Sequence, residues 1–277
     1  MAHPFLPVTS VASGLWQNVA PNLDCHCIQI VNIAFISQAE GQAGWFLVDT
    51  GMPKSADDIL AAAEAKFGGQ PPAAILLTHG HFDHVGAVAE LAERWRVPVF
   101  AHELEFPYLT GQTDYPEGDS TVEGGLVAKL SPVFPNKAID IRKHLQKLPA
   151  DGSIPGLHGW RWLHTPGHSP GHVSFFREED RALIAGDAFI TVRQDSLFKV
   201  MAQIEEVSGP PRYFTTDWEA AGESVRKLAA LRPTAAVTGH GPPLSGETLS
   251  AGLTTLARDF DQVAVPDYGR YVETSHT

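Results

Sequence analysis

The chain has 277 residues, 43% of them hydrophobic, enough to bury a sizeable core as one large α/β domain or two small ones. Its 20 basic side chains face 32 acidic ones, and the formal charge of −12 repels both a phosphate backbone and an anionic membrane surface. No stretch approaches the roughly 20 apolar residues of a membrane span, and the N-terminal MAHPFLPVTSVASGLW lacks a basic segment followed by an apolar run, so a cytoplasmic protein is expected.

In chain order, β-rich runs are predicted over 28–36, 45–48, 74–77, 97–101, 173–176, 182–185 and 235–238. Cys25 and Cys27 read as strand residues, because a Cys-x-Cys pair is too close for an ordinary disulfide and too small for a cysteine zinc cage. A helix over 55–67 opens on a cap-like Ser55, carries Asp57 and Asp58 in its first turn and stops at Gly68. A second helix follows Val85, with Val88, Leu91, Ala92 and Trp95 at helical spacing. Two more are predicted over 218–231 and 247–263, the last with Leu249, Leu253, Leu256 and Phe260 as its apolar stripe. The alternation favours an α/β architecture. Residues 103–159 are rich in Gly, Pro and isolated aromatics and read as loops with a short helix over the mouth of a site.

Chemistry concentrates in Thr78-His79-Gly80-His81-Phe82-Asp83-His84, between the apolar run 74–77 and the second helix. Three imidazoles and a carboxylate on one strand-to-helix turn exceed what a core uses, and they suit a transition metal better than calcium or magnesium. Further candidates lie beyond apolar strands, beside glycines: His168 in TPGHSPGH, Asp187 after ALIAG and His240 after VTG. His172, four residues beyond His168, and His102 are set aside, the latter as a surface or capping residue. His3, His144, His158, His164 and His276 show no spacing that suggests chemistry. Tyr108, Tyr115, Phe134, Phe189, Phe198, Tyr213 and Phe214 are candidate pocket walls.

These residues resemble the metallo-β-lactamase superfamily, whose THxHxDH signature matches Thr78 to His84 and whose downstream His, Asp and His match His168, Asp187 and His240. The resemblance implies a four-layer αββα sandwich, with the whole chain, 1–277, as one domain and 103–159 as a lid insertion. It implies two divalent ions, zinc first, with iron or manganese as alternatives by ligand type. His79, His81 and His168 would hold one ion and Asp83, His84 and His240 the other, with Asp187 bridging. Two ions about 3.5–4 Å apart share a water, lower its pKa and polarise a carbonyl, so no Ser-His-Asp machinery is needed. Asp49 in LVDTG matches a further family motif and would accept a hydrogen bond from a ligand imidazole. Asp49, Asp83 and Asp187 are therefore the candidate catalytic carboxylates.

The expected reaction is hydrolysis of a small ester, thioester or lactone, with a homodimer as the expected assembly. Glyoxalase II-type thioester hydrolysis and β-lactam hydrolysis are the neighbouring readings, and a non-catalytic metal-binding protein is the reading from another class. Glyoxalase II resemblance implies a helical C-terminal domain with basic residues for glutathione. Only 37 residues follow His240 here, with Arg258 and Arg270 their only basic side chains. The related acyl-homoserine lactonases carry a tyrosine three residues after the bridging aspartate, where this chain has Ile190.

Overall fold

A computed structural model of the chain describes residues 9–38 and 44–272, so His3 and His276 lie outside the described residues. Seven strands form one sheet in sequence order: β1 (Trp16–Ala20), β2 (Leu23–Ile28), β3 (Val31–Ser37), β4 (Trp45–Val48), β5 (Ala74–Leu76), β6 (Val99–Ala101) and β7 (Leu145–Lys147). The first four are antiparallel and β4 to β7 are parallel. A second sheet holds β8 (Trp160–His164), β9 (Val173–Arg177), β10 (Ala182–Gly186), β11 (Ala235–Thr238) and β12 (Leu244–Ser245), in the spatial order β12-β11-β10-β9-β8. The helices are α1 (Ala56–Phe67), α2 (Val88–Trp95), α3 (Phe106–Leu109), α4 (Gly125–Leu130), α5 (Leu197–Ala202), α6 (Trp218–Ala230), α7 (Gly246–Arg258) and α8 (Phe260–Val263). Parallel neighbours need crossovers, and α1, α2 and α6 supply them for β4–β5, β5–β6 and β10–β11.

The period-two alternation of the central strands sets the layers. In β3 and β4, Ile33, Phe35, Trp45 and Leu47 point to the side covered by α1 and α2, while Ala34, Ile36, Phe46 and Val48 point to the other sheet. In β9 and β10, Val173, Phe175, Ala182 and Ile184 face inward to meet them, whereas Phe176, Leu183 and Ala185 face α6, α7 and α8. Strands covered on both faces must be apolar throughout, which is why these runs read as continuous rather than alternating. Each fully buried Leu, Ile or Phe contributes about 1.5–3 kcal/mol. The result is the αββα order of layers.

Three local expectations are corrected. The run predicted over 28–36 turns at Gln29, whose φ is 61°, so Ile28 ends β2 and Val31 begins β3. The helix predicted over 247–263 divides at Asp259 into α7 and α8, although Leu249, Leu253, Leu256 and Phe260 all reach one core. Ser55 precedes α1, yet its hydroxyl caps nothing and is buried without a partner, while Gly68 does close the helix in the left-handed conformation. Within 103–159 lie α3, α4 and β7, and β7 extends the first sheet beside β6. Among the described residues, no helix is long and apolar enough to cross a membrane.

Two loops at one edge of the sandwich are clamped together. The Thr50 amide donates to the His84 carbonyl at 2.7 Å and the Gly86 amide to the Gly51 carbonyl at 2.9 Å. A Cβ on Gly86 would stand 2.2 Å from the backbone of Met52 and Pro53, so no side chain fits there without parting the loops. Gly86→Ala is expected to destabilise the fold by about 3 kcal/mol, read as a lower midpoint in urea unfolding; an unchanged midpoint contradicts the clamp.

Candidate metal centre

The strands β4, β5, β10 and β11 end at the same edge; the loops leaving β5, β10 and β11 carry six of the predicted ligands, and the loop leaving β4 carries Asp49. His79, His81, Asp83 and His84 lie on the turn between β5 and α2, which closes through the His84 and Val85 amides donating to the His81 carbonyl. Asp187 directly follows β10, His240 stands two residues past β11, and His168 comes from the β8–β9 loop. All seven are buried.

The structure brings all seven together. Three groups have ligand atoms within 4.8 Å of one another: His79, His81 and His168; His79, His84 and Asp187; Asp83, His84 and His240. Asp187 spans the groups, with Oδ1 3.6 Å from His84 Nε2 and Oδ2 3.5 Å from His168 Nε2 and 3.4 Å from His240 Nε2. His240 Nε2 is also 3.4 Å from Asp83 Oδ2, and His81 Nδ1 is 2.9 Å from His168 Nε2.

Outward-facing ring nitrogens are held by the protein, which aims the others inward. His84 Nδ1 lies 2.9 Å from Asp49 Oδ2, His79 Nδ1 3.0 Å from Thr78 Oγ1, His168 Nδ1 3.3 Å from Thr215 Oγ1, and His240 Nδ1 3.0 Å from the Ile30 carbonyl. Asp49 also accepts from the Thr78 amide and hydroxyl, at 2.8 and 2.7 Å. In contrast, His79 Nε2, His84 Nε2 and Asp187 Oδ1 are buried without any hydrogen-bond partner. Leaving such atoms unpaired costs about 1–3 kcal/mol each, so three of them converging fits a site built to bind a cation. The donor set of imidazoles and carboxylates fits a transition metal.

The electrostatics divide the cluster. Burial, reinforced by neighbouring imidazoles, pushes His79 and His168 well below the usual histidine range and His81 down to about 4, which leaves neutral rings with free lone pairs. Burial acts the same way on His84 and His240, but the carboxylates outweigh it: Asp187, Asp83 and Asp49 raise His84 well above its usual value, and Asp187 and Asp83 raise His240 to about 10. Burial of Asp187 is likewise overcome by His240 and His84, which hold it well below the ordinary carboxylate range. The carboxylates Asp83, Asp187 and Asp49 thus concentrate negative charge on the His84 and His240 side of the cluster, which favours a cation there.

Several supporting residues escaped sequence reasoning. His172, set aside as a ligand, accepts the Asp187 amide at Nε2 (2.9 Å) while its Nδ1 contacts Thr165, so it fixes the backbone of the shared aspartate. Glu105, fully buried, accepts from the amides of Gly80 and Gly171 at 2.9 and 2.7 Å, from Ser169 Oγ at 2.9 Å and from the Tyr115 hydroxyl. It ties the two ligand-bearing loops to the segment that follows β6. Burial lifts its carboxyl to about 7 against those hydrogen bonds. The "AHELE" context gives no periodic or motif signal for Glu105; the TPGHSPGH motif does expose His172. Gly239 is required by packing, since its Cβ would meet Asp187 Oδ1 at 2.0 Å. His102 accepts the Leu104 amide as a cap, Phe189 is core, and Phe198 is exposed.

The described sequence features have counterparts in known proteins. A family model described as the metallo-beta-lactamase superfamily matches residues 29–240. The probable metallo-hydrolase YflN of Bacillus subtilis (strain 168) is 48% identical over 264 residues, covering 95% of this chain and 100% of its own. A protein solved in a di-iron-bound form superposes with a TM-score of 0.54 at 29% identity, covering 82% of this chain and 92% of its own. BJP-1, a subclass B3 metallo-beta-lactamase of Bradyrhizobium japonicum, gives a TM-score of 0.59 at 22% identity, covering 92% and 94%.

Asp83→Ala and His84→Ala are each expected to lower the transition-metal content of the metal-loaded protein while leaving the far-ultraviolet circular dichroism intact. Elemental analysis checks this, and an unchanged stoichiometry in both variants contradicts the assignment.

Proposed function

Because the chain belongs to the metallo-β-lactamase superfamily, we propose that it is a dinuclear metal-dependent hydrolase of a small carboxylic ester, thioester or lactone. His79, His81 and His168 would hold one ion, Asp83, His84 and His240 the second, and Asp187 both. Zinc is the metal proposed, with iron and manganese open to the same donor set. The observation that carries the reading is the convergence of unpartnered His79 Nε2, His84 Nε2 and Asp187 Oδ1 in a buried cluster.

When bound, such a pair of ions supplies a hydroxide at neutral pH and polarises an acyl oxygen. The chain's residues do the rest. Asp49 orients His84, Thr78 orients His79, and His172 holds the Asp187 backbone, so the donor atoms are fixed before substrate arrives. Ser169 and Thr215, the hydroxyls beside His168, are engaged with Glu105 and the Pro211 carbonyl, which fits a reaction without a side-chain nucleophile. Ile190 is buried and bridged to Ser208, so the tyrosine-assisted ring opening of the acyl-homoserine lactonases has no counterpart at that position. Residues 103–159 are proposed as a lid, on the strength of Glu105 and Tyr115 standing against the ligand loops. A net charge of −12 supports a small-molecule substrate over nucleic acid or a membrane, and a cytoplasmic homodimer completes the proposal.

A panel of lactones, thioesters, phenyl esters, β-lactams and phosphoesters assayed with the zinc-loaded protein tests this. Turnover of the carboxylic esters or lactones, lost on chelation and lowered by roughly 10- to 100-fold in Asp49→Ala, is expected. Turnover confined to phosphoesters, or none of any substrate, rejects it.

A further inference from the structure

A cavity of about 110 Å³ opens beside His81 and His168, the two proposed ligands that line it. From its composition we infer that the site takes substrates whose acyl group is short, apolar and uncharged. This rests on the hydrolase reading above and narrows it.

Five aromatic rings stand in the wall: Tyr108, Tyr115, Tyr213, Phe214 and Tyr271. Two of them pack directly on a proposed ligand, the His81 ring lying 4.4 Å from Tyr115 and 4.8 Å from Phe214. Two of the four tyrosine hydroxyls are engaged by the protein. The Tyr115 hydroxyl donates to Glu105 and accepts from the Gly80 amide, and the Tyr213 hydroxyl reaches Gln194 at 3.5 Å. Around His81 the wall therefore offers ring faces rather than polar groups. It is also braced, because Tyr108 stacks on Tyr115 at 3.7 Å and Glu105 anchors Tyr115 to both ligand loops.

Size follows from volume. An engineered cavity of about 150 Å³ holds a benzene ring, and drug-sized ligands need about 300 Å³ or more. At about 110 Å³ the cavity admits an acyl chain of only a few heavy atoms, and the rest of the substrate must lie outside.

Charge follows from what is missing opposite it. Among the described residues, the lining contains neither lysine nor arginine, and its one formally charged side chain is Glu117. Arg212, next to Tyr213 in sequence, turns away into a separate cavity, where Glu123 Oε2 lies 3.0 Å and Asp195 Oδ2 3.8 Å from its Nη1. Arg193 faces that cavity too, paired with Asp195 and Glu206. Arg270, exposed, donates to the Glu117 carbonyl and lies outside the lining. Apart from the ion proposed on His81 and His168, an acyl group bearing a carboxylate would meet no cationic side chain in this lining and would be buried against aromatic faces and Glu117.

The test compares nitrophenyl isocaproate with the nitrophenyl hemiester of succinate, whose acyl groups have the same shape and differ in charge. With zinc-loaded protein, kcat/KM for the isocaproate is expected to be higher by about tenfold or more, and Arg270→Ala to leave that ratio unchanged. Equal or faster hydrolysis of the hemisuccinate, or a ratio that rises in Arg270→Ala, overturns the charge argument. Independently of turnover, saturation-transfer nuclear magnetic resonance with straight-chain carboxamides from acetamide to octanamide reads the size limit. Affinity is expected to stop rising at chains of about five heavy atoms; an increase continuing to octanamide overturns it. If the carboxamides show this profile while no ester is hydrolysed, the hydrolase reading fails and the pocket inference stands.

Discussion

Burying three imidazole and carboxylate atoms with no hydrogen bond is the constraint around which the rest of this structure is arranged. His79 Nε2, His84 Nε2 and Asp187 Oδ1 would each be costly in a dry interior. The protein surrounds them with hydrogen bonds that fix the outer nitrogens of His79, His84, His168 and His240 and the Asp187 amide, through Thr78, Asp49, Thr215, the Ile30 carbonyl and His172. The outer atoms are therefore hydrogen-bonded to the surrounding protein, while these three inner ones are not. That asymmetry distinguishes a cation site from an ordinary buried polar network, where donors and acceptors are satisfied throughout.

The fold explains why the ligands can come from so far apart in sequence. Two sheets pack face to face over Phe46, Phe175 and their neighbours, and the loops leaving β4, β5, β10 and β11 meet at one edge. Cross-sheet ties hold the halves in register there. Asn32 on β3 donates to the carbonyls of Thr238 and Gly241, and the Val173 amide donates to the Thr78 carbonyl. Each tie crosses between a loop or strand of one sheet and one of the other, so the positions of His240 and His79 depend on the sandwich being closed. Glu105 adds a third body to this arrangement, drawing Tyr115 and Tyr108 onto the site so that the metal-binding edge and the aromatic cavity form one unit.

Much of the site was legible in the sequence because its chemistry is local. Three imidazoles and a carboxylate within six residues of His79 cannot be mistaken for core, and His168, Asp187 and His240 each stand beside glycines past an apolar run. Asp49 was legible by motif, and the structure gives it the hydrogen bond to His84 expected of it. Glu105 was not: one carboxylate among 32 acidic side chains acquires meaning only when the Gly80 and Gly171 amides are brought to it from 25 and 66 residues away. His172 was visible but its role was not, since accepting the Asp187 amide depends on how two strands pair. The strand boundaries slipped where a single residue in the left-handed conformation, Gln29, turns the chain inside an unbroken apolar run.

By itself, then, the sequence determined the α/β alternation and the ligand types, because hydrophobic period and donor chemistry are properties of neighbouring residues, while the order of layers came only through the family resemblance. Tertiary structure alone decided which ring nitrogens face inward, which hydroxyls are spent on the protein, and where the arginines point. Those depend on distances between segments far apart in the chain, and a one-dimensional pattern carries no such distances.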